Sequence, residues 1–301
     1  MIGEAGASQP PTRLGQVRIG VSGWRYAGWR GRFYPPRLRQ RDELSYAARC
    51  FDTIEINGTH YSLQRPRSFA QWHAETPAGF VFAVKGSRFI THMKQLRDIE
   101  APLANFFAQG VLLLGDKLGP ILWQFSPRFH FNAEKLDAFF ALLPQDGEAA
   151  AALARRHDHR LAGRAATEGR VGKLRHAVEI RHRSFLDPAF VALLRRRGIA
   201  LVFADAVDWP YAEDVTADFV YMRLHGSQEL YASGYDDAAL DRCAARIRAW
   251  HRGGEPADAQ LIDGAIRPER RPRDVYVYFD NDAKVRAPFD ARTLRDKLGA
   301  G

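Results

Sequence analysis

The stretch that decides the fold begins Ala177-Val178-Glu179-Ile180-Arg181. It continues through Asp187-Pro188 and an apolar-spaced segment to Arg197, passes Gly198, and ends Ala200-Leu201-Val202-Phe203-Ala204-Asp205. Its two outer runs are short and mostly apolar, as strands covered on both faces are. Between them Asp187 supplies a side-chain cap, Pro188 sits where a missing N–H costs nothing, and Gly198 closes the helix. Strand, helix and strand in this order make a βαβ unit, which joins parallel neighbours.

Reading outward, short runs of the same kind recur at 17–23, 53–56, 80–85, 120–124, 177–181, 200–205, 219–225 and 275–281. Eight is the number a closed (β/α)8 barrel needs, and 301 residues suit that fold better than one ordinary domain. The sequence therefore predicts an α/β chain: a tail over 1–16, rich in Gly, Pro and polar residues and read as flexible, and a single TIM-barrel domain over 17–301. Helices are expected at 43–51 after Asp42, at 66–72 from Pro66, at 133–143 after Asn132, and at 188–197. Further ones are expected at 237–252 after Asp236 and from Asp290 to near Gly299. A helix near 148–157 and a mobile loop at 163–173 fill the longest gap. The connection 206–218 is too short and too acidic for a helix with two loops, so the sixth helix should be missing or reduced to a turn.

Lys and Arg together number 44 against 35 acidic residues, a net charge of +9, and only seven of the cations are lysine. Arg195-Arg196-Arg197, Arg246 and Arg248 fall on outer helices, where such residues usually form a solvated face. No basic stripe is interleaved with aromatics as single-strand grooves require, so nucleic acid is an alternative partner rather than the favoured one. Cys50 and Cys243 lie far apart with no paired spacing, which argues against a disulfide framework or a zinc cluster. The first sixteen residues lack the apolar run of a secretory signal and no later stretch would span a membrane, so a cytoplasmic address is expected. There is no nucleophile elbow, Walker loop or dinucleotide fingerprint, and no organic cofactor is expected.

The strand ends are polar. Glu55 and Asn57 share one face of the second run, and Lys85, Gln124, Asp205 and the pair Glu179/Arg181 end the third to sixth. Arg223 and His225 share a face of the seventh, and the eighth ends Asp280-Asn281-Asp282. In such barrels function sits at the C-terminal ends of the strands. Ions buried there must pair, meet water or meet a ligand. One reading is a closed ion-pair layer plugging the mouth; the favoured one is a cleft for a small polar or anionic molecule.

Several motifs, in order, carry a family resemblance: Gly20-Val-Ser-Gly-Trp24 with Trp29 and Phe33-Tyr34-Pro35; Glu55-Ile-Asn57 with Tyr61; Phe82-Ala-Val-Lys85 with Thr91-His92; and Leu122-Trp-Gln124. They continue with Ala177-Val-Glu179-Ile-Arg181-His182, Tyr221-Met-Arg223-Leu-His225-Gly226 and Tyr278-Phe279-Asp280-Asn281-Asp282. From about Val17 to Leu298 the chain resembles the YecE-like proteins, family seventy-two of the domains of unknown function. The resemblance implies a TIM barrel related to the sugar-isomerase-like barrels, with no settled activity to carry over. Asp280 stands where the family commonly has an amide before Asn281, and His60 replaces an aromatic residue.

The residues support proton-transfer chemistry of isomerase, lyase or hydrolase type. Glu55 and Glu179 are the first candidates for paired acid and base, with Lys85 or His225 stabilising a developing oxyanion. Arg181 and Arg223 would anchor an anion; Asn57, Tyr61, Gln124, Asp205, Asn281 and Trp24 would complete the ligand site. The aromatic set Trp24, Tyr26, Trp29, Phe33 and Tyr34 reads equally well as a stacking wall or a packed lid, and Trp123 and Trp209 add aromatic area near the fourth and sixth strand ends. One alternative is a divalent metal on Glu179, Asp205 and His225, serving a sugar isomerase or a phosphodiesterase-like nucleic-acid enzyme. A non-catalytic ligand or nucleic-acid binder is another. His225-Gly226-Ser227 and Ser233-Gly234 weakly suggest phosphate capture.

Overall fold

The computed structural model describes residues 15–226 and 228–299. The strands are Val17–Ser22 (β1), Thr53–Ile56 (β2), Val81–Lys85 (β3) and Leu118–Gln124 (β4), then His176–Glu179 (β5), Ala200–Asp205 (β6), Phe219–Leu224 (β7) and Asp274–Phe279 (β8). They pair in parallel and in chain order, and β8 closes on β1 with Val17 opposite Val275 through Val21 opposite Phe279. This is the (β/α)8 barrel expected from the eight runs. One irregularity interrupts the ladder: Phe82 pairs with Leu118 but Val84 with Ile121, so β4 carries one residue more than β3. Pro120, which has no N–H to donate, lies in that extra span.

Strand alternation sorts the side chains into two cores. Outward-facing residues such as Val21, Ile54, Val84, Trp123 and Phe279 pack against the helices. Inward-facing Val81, Ala83, Leu122, Ala177, Val202, Tyr221, Tyr276 and Tyr278 fill the barrel. Large and small residues alternate around it. The Tyr221 and Tyr278 rings lie 5.0 Å apart, while Gly20 passes so close to β2 that a Cβ would stand 1.8 Å from the Thr53 carbonyl oxygen. Above this apolar plug the inward series turns polar.

Outside lie Glu43–Cys50 (α1), the single turn Gly58–Tyr61 (α2), Pro66–Ala74 (α3), Glu100–Ala108 (α4) and Ala133–Leu142 (α5). They are followed by Gly147–Ala154 (α6), Pro188–Arg197 (α7), Asp237–His251 (α8) and Ala287–Leu298 (α9). Asp187 caps α7 through the Ala189 N–H at 2.8 Å, and Gly198 ends it in the left-handed region. α4 is not among the expected helices, because its seven buried residues leave no polar face to show a helical period. The last helix begins at Ala287, before the expected Asp290. Pro188-like chemistry recurs at Pro288 in the first turn of α9, and Asp290 is no cap: its carboxylate accepts from Asn281 Nδ2 at 2.7 Å and from the Tyr235 N–H at 3.1 Å.

No helix joins β6 to β7, as expected. Segments 206–218 and 254–273 cover the gap, stapled by buried Glu213. It accepts two bonds from Arg246 Nη1 at 2.8 and 2.9 Å, one from Tyr211 at 2.6 Å and one from the Gln260 N–H. Most of the expected tail, residues 1–14, lies outside the described residues; Gln16, placed in that tail, is bonded to Asp274 and Val275 at the foot of β8. Among the described residues no helix is long and apolar enough to cross a membrane.

Candidate ligand site at the barrel mouth

The inward residues Glu55, Glu179, Arg223 and Asp280 arrive from four strands at one level, and Arg223 holds them together. Its Nη1 donates to Glu179 Oε2 at 2.5 Å; its Nη2 donates to Glu55 Oε1 and Asp280 Oδ2, both at 2.8 Å. Arg223, Glu55, Glu179 and His225 are fully buried. Glu55 also accepts from Ser22 Oγ at 2.9 Å and from the Tyr221 hydroxyl at 2.6 Å. Burial works against ionisation of Glu179, but Arg223 and Arg181 overcome it and hold its carboxyl well below the usual range. Asp280 is held at about 2 chiefly by Arg223, against the cost of burial. His225 lies between the two, Nδ1 at 3.2 Å from Asp280 and Nε2 at 3.6 Å from Glu179.

This ion layer is the floor of a cavity of about 590 Å³ that opens at the mouth. Lys85, Asp280, Gln124 and Arg181 reach the cavity from the floor; Trp24, Tyr26, Asn57, His60, Tyr61 and Tyr231 line its wall. Lys85 is 6% exposed, and its ammonium has no hydrogen bond or ion pair among the described residues. Burial and the like charge of Arg223 lower its pKa to about 8, although Glu55, Asp280 and Glu179 pull the other way. The buried oxygens Gln124 Oε1 and Asn57 Oδ1 likewise have no partner. Arg181 is fixed on three sides: it donates to Glu179 at 2.9 Å and to Tyr231, and its guanidinium carbon lies 3.6 Å from the centre of the Trp209 ring.

His60 and His92 stand beside Lys85 as neutral rings, their pKa values pushed down to about 3 and about 4 by burial and nearby cations. His60 Nδ1 lies 2.8 Å from the Gly86 carbonyl oxygen, so it carries the proton and Nε2 is left as an acceptor. Gly86 is required here, because a Cβ would stand 2.3 Å from the Trp123 ring.

Several sequence-based expectations are corrected. Asp205 and Asn281 do not reach the mouth. Asp205 has the outward alternation of Leu201 and Phe203 and lines a separate cavity with Tyr235 and Cys243 under α8. Asn281 follows outward-facing Phe279, is buried, and donates to Ser233 and Asp290. The alternative metal set of Glu179, Asp205 and His225 is therefore not assembled. Among the described residues no three His, Cys, Asp or Glu side chains are placed to hold a metal ion.

Of the aromatic set, Trp24 and Tyr26 face the cavity, whereas Trp29, Phe33 and Tyr34 pack into the core. Trp123 is also buried outside the barrel, its Nε1 donating to His176. In the loop after β7 the Gly226, Gln228 and Glu229 N–H groups already donate to Tyr235 and Ser233, leaving little for a phosphate; Ser227 lies outside the described residues. Asp280 and His60 deserved places among the candidates, and Asp280 could have been found from its alternation with Tyr276 and Tyr278. Tyr231, brought in by a loop with positive φ, left no signal in the sequence.

Residues 18–301 match the family described as "Protein of unknown function DUF72". The chain belongs to the DUF72 family. A DUF72 protein of Thermotoga maritima MSB8 has a similar structure, at 25% identity, with a TM-score of 0.70 over 94% of this chain and 99% of that one. A DUF72 protein of Enterococcus faecalis V583 superimposes with a TM-score of 0.64 at 16% identity, covering 94% and 96% of the two chains, a likeness of fold alone. The UPF0759 protein YunF of Bacillus subtilis (strain 168) is 29% identical over 125 residues, which cover 40% of this chain and 43% of that protein's length. The DUF72 barrel is thus the frame in which the mouth residues stand.

Proposed function

We propose that this DUF72 protein is an enzyme that binds a small hydroxylated molecule, sugar-like or anionic, at the barrel mouth and transfers a proton on it. The observation that carries this reading is the meeting, at one cavity, of three polar groups without protein partners: the Lys85 ammonium, Gln124 Oε1 and Asn57 Oδ1. Buried polar groups left unpaired cost stability unless something else satisfies them. A polyol supplies hydroxyl donors for the two amide oxygens and an acceptor for Lys85, while Arg181 offers a cation to an anionic end.

The geometry shifts the proton-handling role away from the glutamates. Glu179 is held ionised, both oxygens of Glu55 are taken by Arg223, Ser22 and Tyr221, and neither carboxylate lines the cavity. Lys85, near pKa 8, is matched to proton transfer close to neutral pH. Ligands of this class should raise the melting temperature of the native chain, because they bind the folded state. Sugar phosphates and hydroxy acids are the compounds to screen, with NMR in D2O following exchange of protons next to a carbonyl. Arg181→Ala should weaken the shift and Lys85→Ala should abolish exchange. Unaltered shifts and exchange in both variants would sink the reading.

A further inference from the structure

We propose that Lys85 is a covalent nucleophile whose amine condenses with the carbonyl carbon of an open-chain hydroxy-aldehyde or hydroxy-ketone. This changes the role of Lys85 from carrying the proton to activating the carbonyl, and it rests on the proposed function for the ligand's place in the mouth cavity.

Lys85 stands apart from the ion layer beneath it. A lysine kept only to balance buried carboxylates would sit against one of them, yet Arg223 takes Glu55, Glu179 and Asp280 at 2.5–2.8 Å and leaves Lys85 with none. The amine is held at the end of β3, buried, and directed to a cavity large enough for a sugar-sized molecule. Like-charged Arg223 and burial favour the neutral, nucleophilic form. Glu55, Asp280 and Glu179, though taken by Arg223, still draw the amine toward its charged form, while the His60 and His92 rings near it are neutral and the two amides with unpartnered oxygens share its cavity. Those oxygens would accept from hydroxyls on the carbons flanking the carbonyl, which selects a hydroxylated carbonyl compound over a plain one.

The condensation balances without any co-reactant. Nitrogen bonds to the carbonyl carbon as the C=O π pair moves to oxygen, giving a carbinolamine. The nitrogen lone pair then expels that oxygen. Two of the three ammonium protons end in the water released, and the third stays on the iminium nitrogen. The charge at Lys85 is therefore the same before and after, so the buried layer of three carboxylates, Arg181, Arg223 and Lys85 keeps its balance.

Borohydride trapping tests this on the full chain. The protein is incubated separately with dihydroxyacetone, ribose 5-phosphate and pyruvate, reduced with sodium cyanoborohydride, and read by intact mass and peptide mapping. The expected result is one adduct, heavier by the carbonyl compound less one oxygen, on Lys85 and not on the other six lysines. Its yield should be greater for the hydroxylated probes than for pyruvate and lost in Lys85→Arg. Peptide mapping of the native chain carries the test even if that variant fails to fold. Adducts spread over surface lysines would overturn the proposal. Absence of any adduct from compounds that do raise the melting temperature would overturn the covalent step and leave the ligand site standing. Absence of both would remove the ligand site as well.

Discussion

Arg223 is a cation enclosed by its own counter-charges, and the energetics of the mouth follow from that one side chain. Replacing it by Met would leave Glu55, Glu179 and Asp280 facing one another without their shared counter-ion. Removing one partner of a buried ion pair costs about 3–5 kcal/mol, so Arg223→Met should lower the urea midpoint by at least that equivalent. Asp282 is the opposite case, a carboxyl whose ionised form is disfavoured. Burial, helped by the charge of Asp280, raises its pKa from 3.8 to about 7 against the bond from the Trp29 indole. The native state keeps this proton up to about pH 7 while the unfolded chain gives it up near 3.8, so this residue's contribution to stability falls as pH climbs between those values. Asp282→Asn should accordingly be more stable than the native chain at pH 8, by about 1–3 kcal/mol, with the gap closing near pH 4 in paired thermal melts. At this scale the sequence was legible wherever alternation was respected. Glu55, Lys85, Gln124 and Arg223 fall on inward positions, while Asp205 and Asn281 were misplaced because their polarity was read before their parity.

Helix boundaries show which local signals carry through to structure. Asp187-Pro188 starts α7 where it was expected, because the cap bond and the proline ring act within one turn and need no tertiary partner. Asp187→Ala should cost about 1 kcal/mol, measured as a shift in urea midpoint with an unchanged slope. Asp290 carries the same side chain but spends it on Asn281 and Tyr235, contacts that exist only once the barrel has closed. Buried α4 was illegible for a related reason: an element apolar on every side has no period to detect. Conversely, the missing sixth helix was visible because a length limit is independent of context. What the sequence could not supply was its replacement, the staple that Arg246 and Glu213 form across more than thirty residues of chain.

For the molecule as a whole, closure joins the two ends of the sequence. β8 pairs with β1, and α9 covers that seam with Ala287, Ala291 and Leu294 buried. A chain ending at Asp282 should lose cooperative thermal unfolding by circular dichroism, since the seam would be left uncovered and the outward residues of β1 and β8 wet. The count of eight strands was legible because each run is short and bounded, whereas convergence of their tips became a cavity only through the side chains that Arg223 organises. The extra residue near Pro120 governs the same rim from a distance. Beyond it Ile121 pairs with Val84, so Leu122 and Gln124 turn toward the axis and Trp123 toward the helices. Strip out that single unit and the remainder of the strand would rotate half a turn, driving an indole into the axis and carrying the amide to the outside. The chemistry of the opening is thus set partly by a counting offset several residues upstream, where no polar group gives any hint of it.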